Sequence, residues 1–426
     1  MTPDPSRRTE RRLFGCAIGL TLTGFFLLWG AQQRPVVATD FLPFAFYAAS
    51  LFVTHVFWRA SHFAGSQRLT GSLAFLLGFG VLAQSRMTGG DAGATLPLAF
   101  PLGMAALLVV TLSLRRDRIA FIDRIAPLCG FLGLVLVAAL LVLGHRFRGA
   151  IFGPGGMTPT ELLKLFVIIF SAGFLADRQR LLDKAQSGIP PLRVLLPLVI
   201  YWVVLMGLLV LQRDLGMFVI LSGGLLTMLF VQTRRWSYLF YAGIAGVGFA
   251  ALAFSGFLHG QRRFAAWLDP FQDPTGSGWQ ILQGLSAMYS GGFWGTGFGQ
   301  GQPGRIPIAA SDFIYAVIGE EFGFIGCLLV VSFYLILFHE GFRIAFTAPK
   351  PFQRLLAGGI TGTLAIQTLL NIGGVTKALP LTGVPLPFIS HGGSSLVTTL
   401  VGLGILLVLS EPPVRKRRKA SAAKKR

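Results

Sequence analysis

The chain has 426 residues, 53% of them hydrophobic and 13% charged, with 37 Lys and Arg against 17 Asp and Glu and a formal charge of +20. Soluble domains carry about 25% charged residues, and disordered chains are poor in apolar ones, so both classes are excluded. Apolar runs near 20 residues predict an all-α, polytopic helical membrane protein. A transmembrane barrel would show short alternating segments instead.

The apolar runs fall, in order, at 13–30, 41–58, 69–85, 96–114, 124–144, 161–176, 192–211, 215–232, 236–256, 311–338, 354–374 and 383–410, and predict twelve spans. No small-residue cleavage site follows the first, which reads as a retained span. Arg7, Arg8, Arg11 and Arg12 precede it, and Arg415 to Lys419 and Lys424 to Arg426 follow the last. Basic clusters beside spans mark the cytoplasmic side. They read as retention signals or contacts with anionic lipid, not as a nucleic-acid site. Residues 1–12 and 411–426 are then a cytoplasmic N-terminus and tail.

Starting inside and alternating, the cytoplasmic connections carry Arg59 and Arg68, Arg115 to Arg124, Asp177 to Lys184, Arg234 and Arg235, and Arg343 to Arg354. Both termini lie inside. The outer connections are poorer in Lys and Arg except near Arg34, Arg86, Arg146, Arg148, Arg213, Arg262, Arg263 and Arg305. An anionic ligand outside is one explanation for these; a local exception to the charge bias is the other. Cys16, Cys129 and Cys327 all fall in apolar segments, with no disulfide framework or metal-ligand spacing.

The longest connection, 257–310, is external in this topology, and loops beyond about 15 residues are usually functional or disordered. Residues 280–290 predict an amphipathic helix at the interface. The glycine-rich stretch 291–304 suits close backbone approach, and no Gly-Lys-Ser/Thr follows to make it a nucleotide loop. Asp269 and Asp273 share the connection with Arg262 and Arg263. Carboxylates beside cations suit activation of a hydroxyl near an anionic leaving group. An Asp before Pro equally caps a turn.

Within the spans, Glu161 and Lys164 stand at i, i+3 on one helix face and can pair. Such residues are expensive in a membrane and mark either a functional site or a structural ion pair. Thr158, Pro159 and Glu161 fit an N-cap, N1 and N3 of that helix. Glu320 and Glu321 are adjacent, so both cannot cheaply face lipid. The segment 376–395 has three prolines and repeated Gly and includes Lys377, Ser390, His391, Ser394 and Ser395. It predicts irregular backbone lining a cavity. His391 reads as a proton-handling group or a satisfied structural histidine.

Four blocks together carry a resemblance. They are MTPTELLKL at 157–165; QRDLGMFVIL at 212–221; LDPFQDPTGSGWQ at 268–280 with SDFIYAVIGEEFGFIG at 311–326; and LPLTGVPLPFISHGGSSL at 379–396. In this order they resemble the SEDS family of RodA, FtsW and SpoVE, over about residues 69–410. The resemblance implies a ten-span core, similar to GT-C-type glycosyltransferases, with 13–68 as two additional spans. It implies polymerisation of lipid II into peptidoglycan strands at the outer face of the bacterial inner membrane, beside a class B penicillin-binding protein. The family's essential loop aspartate falls on Asp273, and its Glu/Lys pair on Glu161 and Lys164. Arg148, Arg262 and Arg263 become candidates to hold diphosphate. Gln212, Asp214, Gln280, Asp312, Lys377, Ser390, His391, Ser394 and Ser395 complete the expected substrate-binding set. A diphosphate is compatible with Mg2+ or Mn2+, though no ligand cluster marks a metal site. The chain departs from the family pattern at Gly149, Arg213, Ile308, Ala310 and His391. A lipid II flippase and a non-catalytic scaffold for the penicillin-binding protein are the alternative functions.

Overall fold

The computed structural model describes residues 7–31, 35–87, 96–114, 118–147, 150–152, 159–179, 181, 192–237, 240, 243–244 and 258–412. The chain is helical as predicted, apart from a short antiparallel hairpin pairing His145–Phe147 with Ala150–Phe152. Eleven of the twelve apolar runs form long helices among the described residues: α1 Arg8–Ala31, α2 Leu42–Ala60, α3 Gln67–Met87, α4 Leu96–Ser113, α6 Ala126–Leu143, α7 Thr160–Asp177, α8 Leu192–Gln212, α9 Leu215–Thr233, α12 Ile314–Thr347, α13 Pro351–Val375 and α14 Gly393–Leu409. The run 236–256 lies mostly outside the described residues, as do Arg148, Gly149, Thr158 and most of the basic tail. Short α5, Ile119–Arg124, precedes α6, and the long connection contributes α10, Leu258–Leu268, and α11, Trp279–Gly291.

Seven of these helices are long and apolar enough to cross a membrane. α7 is polar because its first turns carry the Glu161–Lys164 pair on a buried face, and α3 because Gln84 and Ser85 are buried inside the bundle. Polar side chains that face protein rather than lipid make a helix look less membrane-like than it is.

The most enclosed span is α13, which packs on α7, α9 and α12. Its glycines permit this. A Cβ at Gly362 would sit 2.5 Å from Thr227 Oγ1, and one at Gly359 would sit 2.8 Å from Ile168 Cγ2. Small residues are how spans without a hydrophobic drive between them approach closely. α3 packs between α1 and α12, and α2 packs on α4.

The predicted span 311–338 is displaced. The helix runs Ile314–Thr347 and is broken at Gly323, where φ is 65° and ψ −164°. Its 34 residues would reach about 50 Å unbroken, well beyond a hydrocarbon core of about 30 Å. The part after the break is the spanning piece. The glycine-rich stretch bonds across the break: Thr296 and Gly297 amides donate to the Glu320 and Glu321 carbonyls at 2.9 and 3.1 Å, and the Phe324 amide donates to the Gly292 carbonyl at 3.0 Å.

Candidate functional site

α11 matches the predicted amphipathic helix. It buries Ile281, Gly284, Ala287 and Gly291 against α12. Before it, the turn 269–278 is built around Asp273. The Asp273 carboxylate accepts the Ser277 amide at 2.7 Å and the Ser277 hydroxyl at 3.0 Å. The glycines of this Asp-Pro-Thr-Gly-Ser-Gly run are required by space. A Cβ at Gly276 would sit 2.3 Å from Asp273 Oδ2, and one at Gly278 would sit 2.0 Å from the Pro270 carbonyl oxygen. Asp273 is exposed. The Ser277 bonds, with Arg262 adding a smaller share, hold its carboxyl below the usual carboxylate range. Asp269 makes a plain turn instead, accepting the Phe271 amide at 3.0 Å.

A second set of polar groups gathers between α7, α9, α10 and α13. Lys164 Nζ lies 2.5 Å from Glu161 Oε2 and donates to Gln367 Oε1 at 2.7 Å. The Gln367 amide continues to the Pro385 carbonyl at 2.9 Å. One turn along α13, Asn371 donates to the Val384 carbonyl at 2.8 Å and the Asp312 carbonyl at 2.9 Å. Arg263, on α10, donates to the Thr382 carbonyl at 2.8 Å. Asp214 begins α9 and accepts the Met217 amide at 2.9 Å. Arg263 senses Asp312 and Asp214, and Asp214 senses Glu161, Arg263 and Lys164. Burial pushes the carboxyls of Asp312 and Asp214 up, more than nearby bonds and cations draw them down.

The segment 379–392 is the strap that ties this set together. Gly383, at φ +72°, leaves room for Arg263 and Asp312, each of which would lie 3.5 Å from a Cβ there. The Ser390 hydroxyl donates to the Ser311 carbonyl, and the His391 amide donates to the Ala310 carbonyl at 2.7 Å. Buried Tyr334 donates to the Pro387 carbonyl.

The predicted site residues therefore divide. Glu161, Lys164, Asp214, Arg263 and Asp312 come together, and Ser390 and His391 hold the strap beside them. Asp273 stands on the exposed turn and Arg262 on the exposed face of α10 before it; among the described residues no hydrogen bond or ion pair joins Asp273 to the buried set. Gln212 is buried and donates to the Val137 carbonyl at 2.8 Å. Gln280 is half-buried in the first turn of α11, Lys377 offers its carbonyl to Trp267 Nε1 at 3.0 Å, and Ser394 and Ser395 open α14. The helix start also differs: α7 begins at Thr160 with Pro159 as its cap, which moves Glu161 one position closer to the end than the predicted N3. Ser277, Gln367 and Asn371 were missed. Two amides spaced i, i+4 inside the apolar α13 were the available signal. Glu320 and Glu321 are both buried; Glu321 pairs with Arg86 at 2.8 Å and Glu320 accepts the Gln302 amide at 3.0 Å.

The blocks that build this arrangement are shared. A profile described as "Cell cycle protein", covering FtsW, RodA and SpoVE, matches residues 74–413. The chain belongs to the FtsW/RodA/SpoVE family. Among its relatives, "Peptidoglycan glycosyltransferase RodA" of Mycobacterium tuberculosis is 32% identical, over 97% of this chain and 93% of that protein. "Probable peptidoglycan glycosyltransferase FtsW" of Geobacter metallireducens is 38% identical, over 72% of this chain and 82% of that protein. "Stage V sporulation protein E" of Bacillus subtilis is 36% identical, over 66% and 77%. Among solved structures, a chain of "Structural coordination of polymerization and crosslinking by a peptidoglycan synthase complex" aligns with a TM-score of 0.65 at 26% identity, covering 81% of this chain and 98% of that one. A mutant of Thermus thermophilus rod shape determining protein RodA shares the fold, with a TM-score of 0.59 at 23% identity. This FtsW/RodA/SpoVE member carries α1 and α2 ahead of the matched region, and the RodA alignment extends into them.

Proposed function

We propose that the chain polymerises lipid II at the outer face of the membrane, with Asp273 as the general base. The enzyme is a peptidoglycan glycosyltransferase, the class named for its RodA and FtsW relatives. The observation that carries the reading is the turn 269–278: its two glycines close around an exposed carboxylate that accepts both the amide and the hydroxyl of Ser277.

In the reaction, an acceptor sugar hydroxyl attacks C1 of the donor sugar. The C1–O bond to diphosphate breaks, the hydroxyl proton passes to Asp273, and undecaprenyl diphosphate leaves. Arg262 and Arg263 are placed in this reading to hold the diphosphate, because guanidinium forks match phosphate oxygens. Lys164, Glu161, Asp214 and Asp312 gather behind them. Two buried atoms beside that set, Asn371 Oδ1 and Thr382 Oγ1, have no hydrogen-bond partner among the described residues. Orphaned buried acceptors suit a polar ligand that supplies the missing donors. Among the described residues no three His, Cys, Asp or Glu side chains gather as a metal site, and no step here runs through Mg2+ or Mn2+. The likeness to a chain of a peptidoglycan synthase complex supports a class B penicillin-binding partner, and the basic connections support both termini on the cytoplasmic side.

Polymerisation of labelled lipid II by purified protein, with and without the partner, tests the reading. Wild type makes polymer and Asp273→Ala makes none while keeping its thermal stability. Polymer from both removes Asp273 from the chemistry. No polymer from either, with the fold intact, returns the field to a flippase or a scaffold.

A further inference from the structure

A groove of about 500 Å3 opens on the flank of the bundle between α1, α3 and α12. That is within the roughly 300–1,000 Å3 of small-molecule sites. Leu13, Phe75, Phe333 and Ile336 form its walls, and Arg68 and His339 stand at one end. The Phe75 and Phe333 rings stack at 4.5 Å, giving the wall a flat aromatic floor. Leu13 belongs to α1, outside the region matched by the family profile.

The polar end is organised. Glu340 is 1% exposed, lies 2.5 Å from Arg343 and 3.6 Å from Arg68, and accepts the Ser66 hydroxyl at 3.0 Å. It steers both guanidiniums to the rim while their side chains remain 55% and 61% exposed. A guanidinium has five N–H donors, so each arginine keeps donors for an outside anion. Arg8, Arg11 and Arg12 are exposed on the first turns of α1, the helix that carries Leu13. Arg68, which lines the groove, and Arg343 share this one carboxylate, so the polar end is net cationic.

We propose that the groove binds an anionic glycerophospholipid. An acyl chain lies along Leu13, Phe75, Phe333 and Ile336, and the phosphate sits among Arg68, Arg343 and His339. A transmembrane helix is about 10–12 Å across and 30 Å long, several times the volume of this groove, so a thin chain with a charged head fits better than a partner helix. Apolar walls ending in a cationic rim match an inner-leaflet anionic lipid in both polarity and charge. The site is separate from the catalytic loop. Glu340 lies roughly 25 Å along α12 from the break at Gly323, at 1.5 Å per residue, and the long connection lies beyond that break. The proposal goes beyond the polymerase reading and does not depend on it.

The test uses full-length protein in micelles holding equal amounts of phosphatidylglycerol and phosphatidylcholine with identical chains. The lipid retained after purification is quantified by mass spectrometry. Wild type is expected to keep phosphatidylglycerol several-fold over phosphatidylcholine. Arg68→Gln with His339→Gln, which leaves Arg343 to pair Glu340, should bring that ratio close to one. Leu13→Trp, which fills the groove and leaves every arginine in place, should lower retention of both lipids at an unchanged melting temperature. Equal retention of the two lipids by wild type overturns the proposal, as does retention that folded Leu13→Trp leaves unchanged.

Discussion

At the residue scale, the two halves of the site differ in solvation, and that difference sets what each can do. Asp273 is exposed and its charge is supported by Ser277 and Arg262, so it is ionised at neutral pH. The acid limb of polymerisation should therefore fall below the ordinary Asp value of about 4. Ser277→Ala removes one donor to the charged form, so the carboxyl pKa rises and the acid limb moves to higher pH. A pH–rate profile of the variant checks this; an unmoved limb separates Ser277 from the titrating group. Lys164 and Glu161 are under 10% exposed. Lys164→Met leaves a buried carboxylate without its cation and should cost roughly 3–5 kcal/mol. Adding Glu161→Gln should recover most of that in thermal denaturation, because the uncompensated charge is gone. Two departures from the family pattern, Arg213 and Ile308, sit at positive φ of 63° and 53°. The Ile308 conformation serves a turn in which its carbonyl accepts the Ser311 and Asp312 amides at 3.1 and 3.2 Å, which delivers Asp312 to Arg263.

At the element scale, the break in α12 and the glycine-rich stretch are one device. Opening a helix at membrane depth frees amides and carbonyls that lipid cannot satisfy. The stretch 291–301 supplies the partners, and it can approach because Gly291, Gly295 and Gly323 have no side chain; a Cβ at Gly323 would lie 2.3 Å from the Gly295 nitrogen. The φ/ψ of Gly323 is nearly glycine-only, at a cost of order 1–3 kcal/mol for other residues. Gly323→Ala should lower the melting temperature of the purified protein and loosen 291–301 in hydrogen exchange. No change in either would mean that the break is not held as described. The sequence pointed to part of this. The Gly run predicted close approach and Glu320–Glu321 predicted a helix with two polar faces, yet apolar periodicity cannot show a break, because the residues on both sides remain hydrophobic. α10 was missed for a related reason: Arg262, Arg263 and Gln261 dilute its apolar face.

At the scale of the whole molecule, α1 and α2 are integral to the bundle. Glu10, fully buried, takes His55 Nδ1 at 2.8 Å and ties α1 to α3 through Thr70 and Gln67. At the other end Leu28 and Ala31 touch Gly299 of the glycine-rich stretch. The proposed sidedness has a direct test in cells. In a Cys16→Ser background, with Cys129 and Cys327 buried, Thr275→Cys should react with an impermeant thiol reagent added outside. Lys350→Cys, exposed beyond α12, should react only after lysis. The reverse pattern inverts the topology and removes the outer-face polymerase.

Composition and the spacing of apolar runs were enough to determine a polytopic helical membrane protein, since about 20 apolar residues have few other solutions. The motif blocks resembled the family, and that resemblance placed its loop aspartate on Asp273 and its Glu/Lys pair on Glu161 and Lys164. Only the tertiary structure decided that Lys164 is shared with Gln367, that Arg263 and Arg262 serve different surroundings, and that the 379–392 strap connects α13 to Asp312. Those partners lie up to about two hundred residues apart in the chain. Long-range hydrogen bonds are chosen by how helices pack, and packing leaves no local period in the sequence.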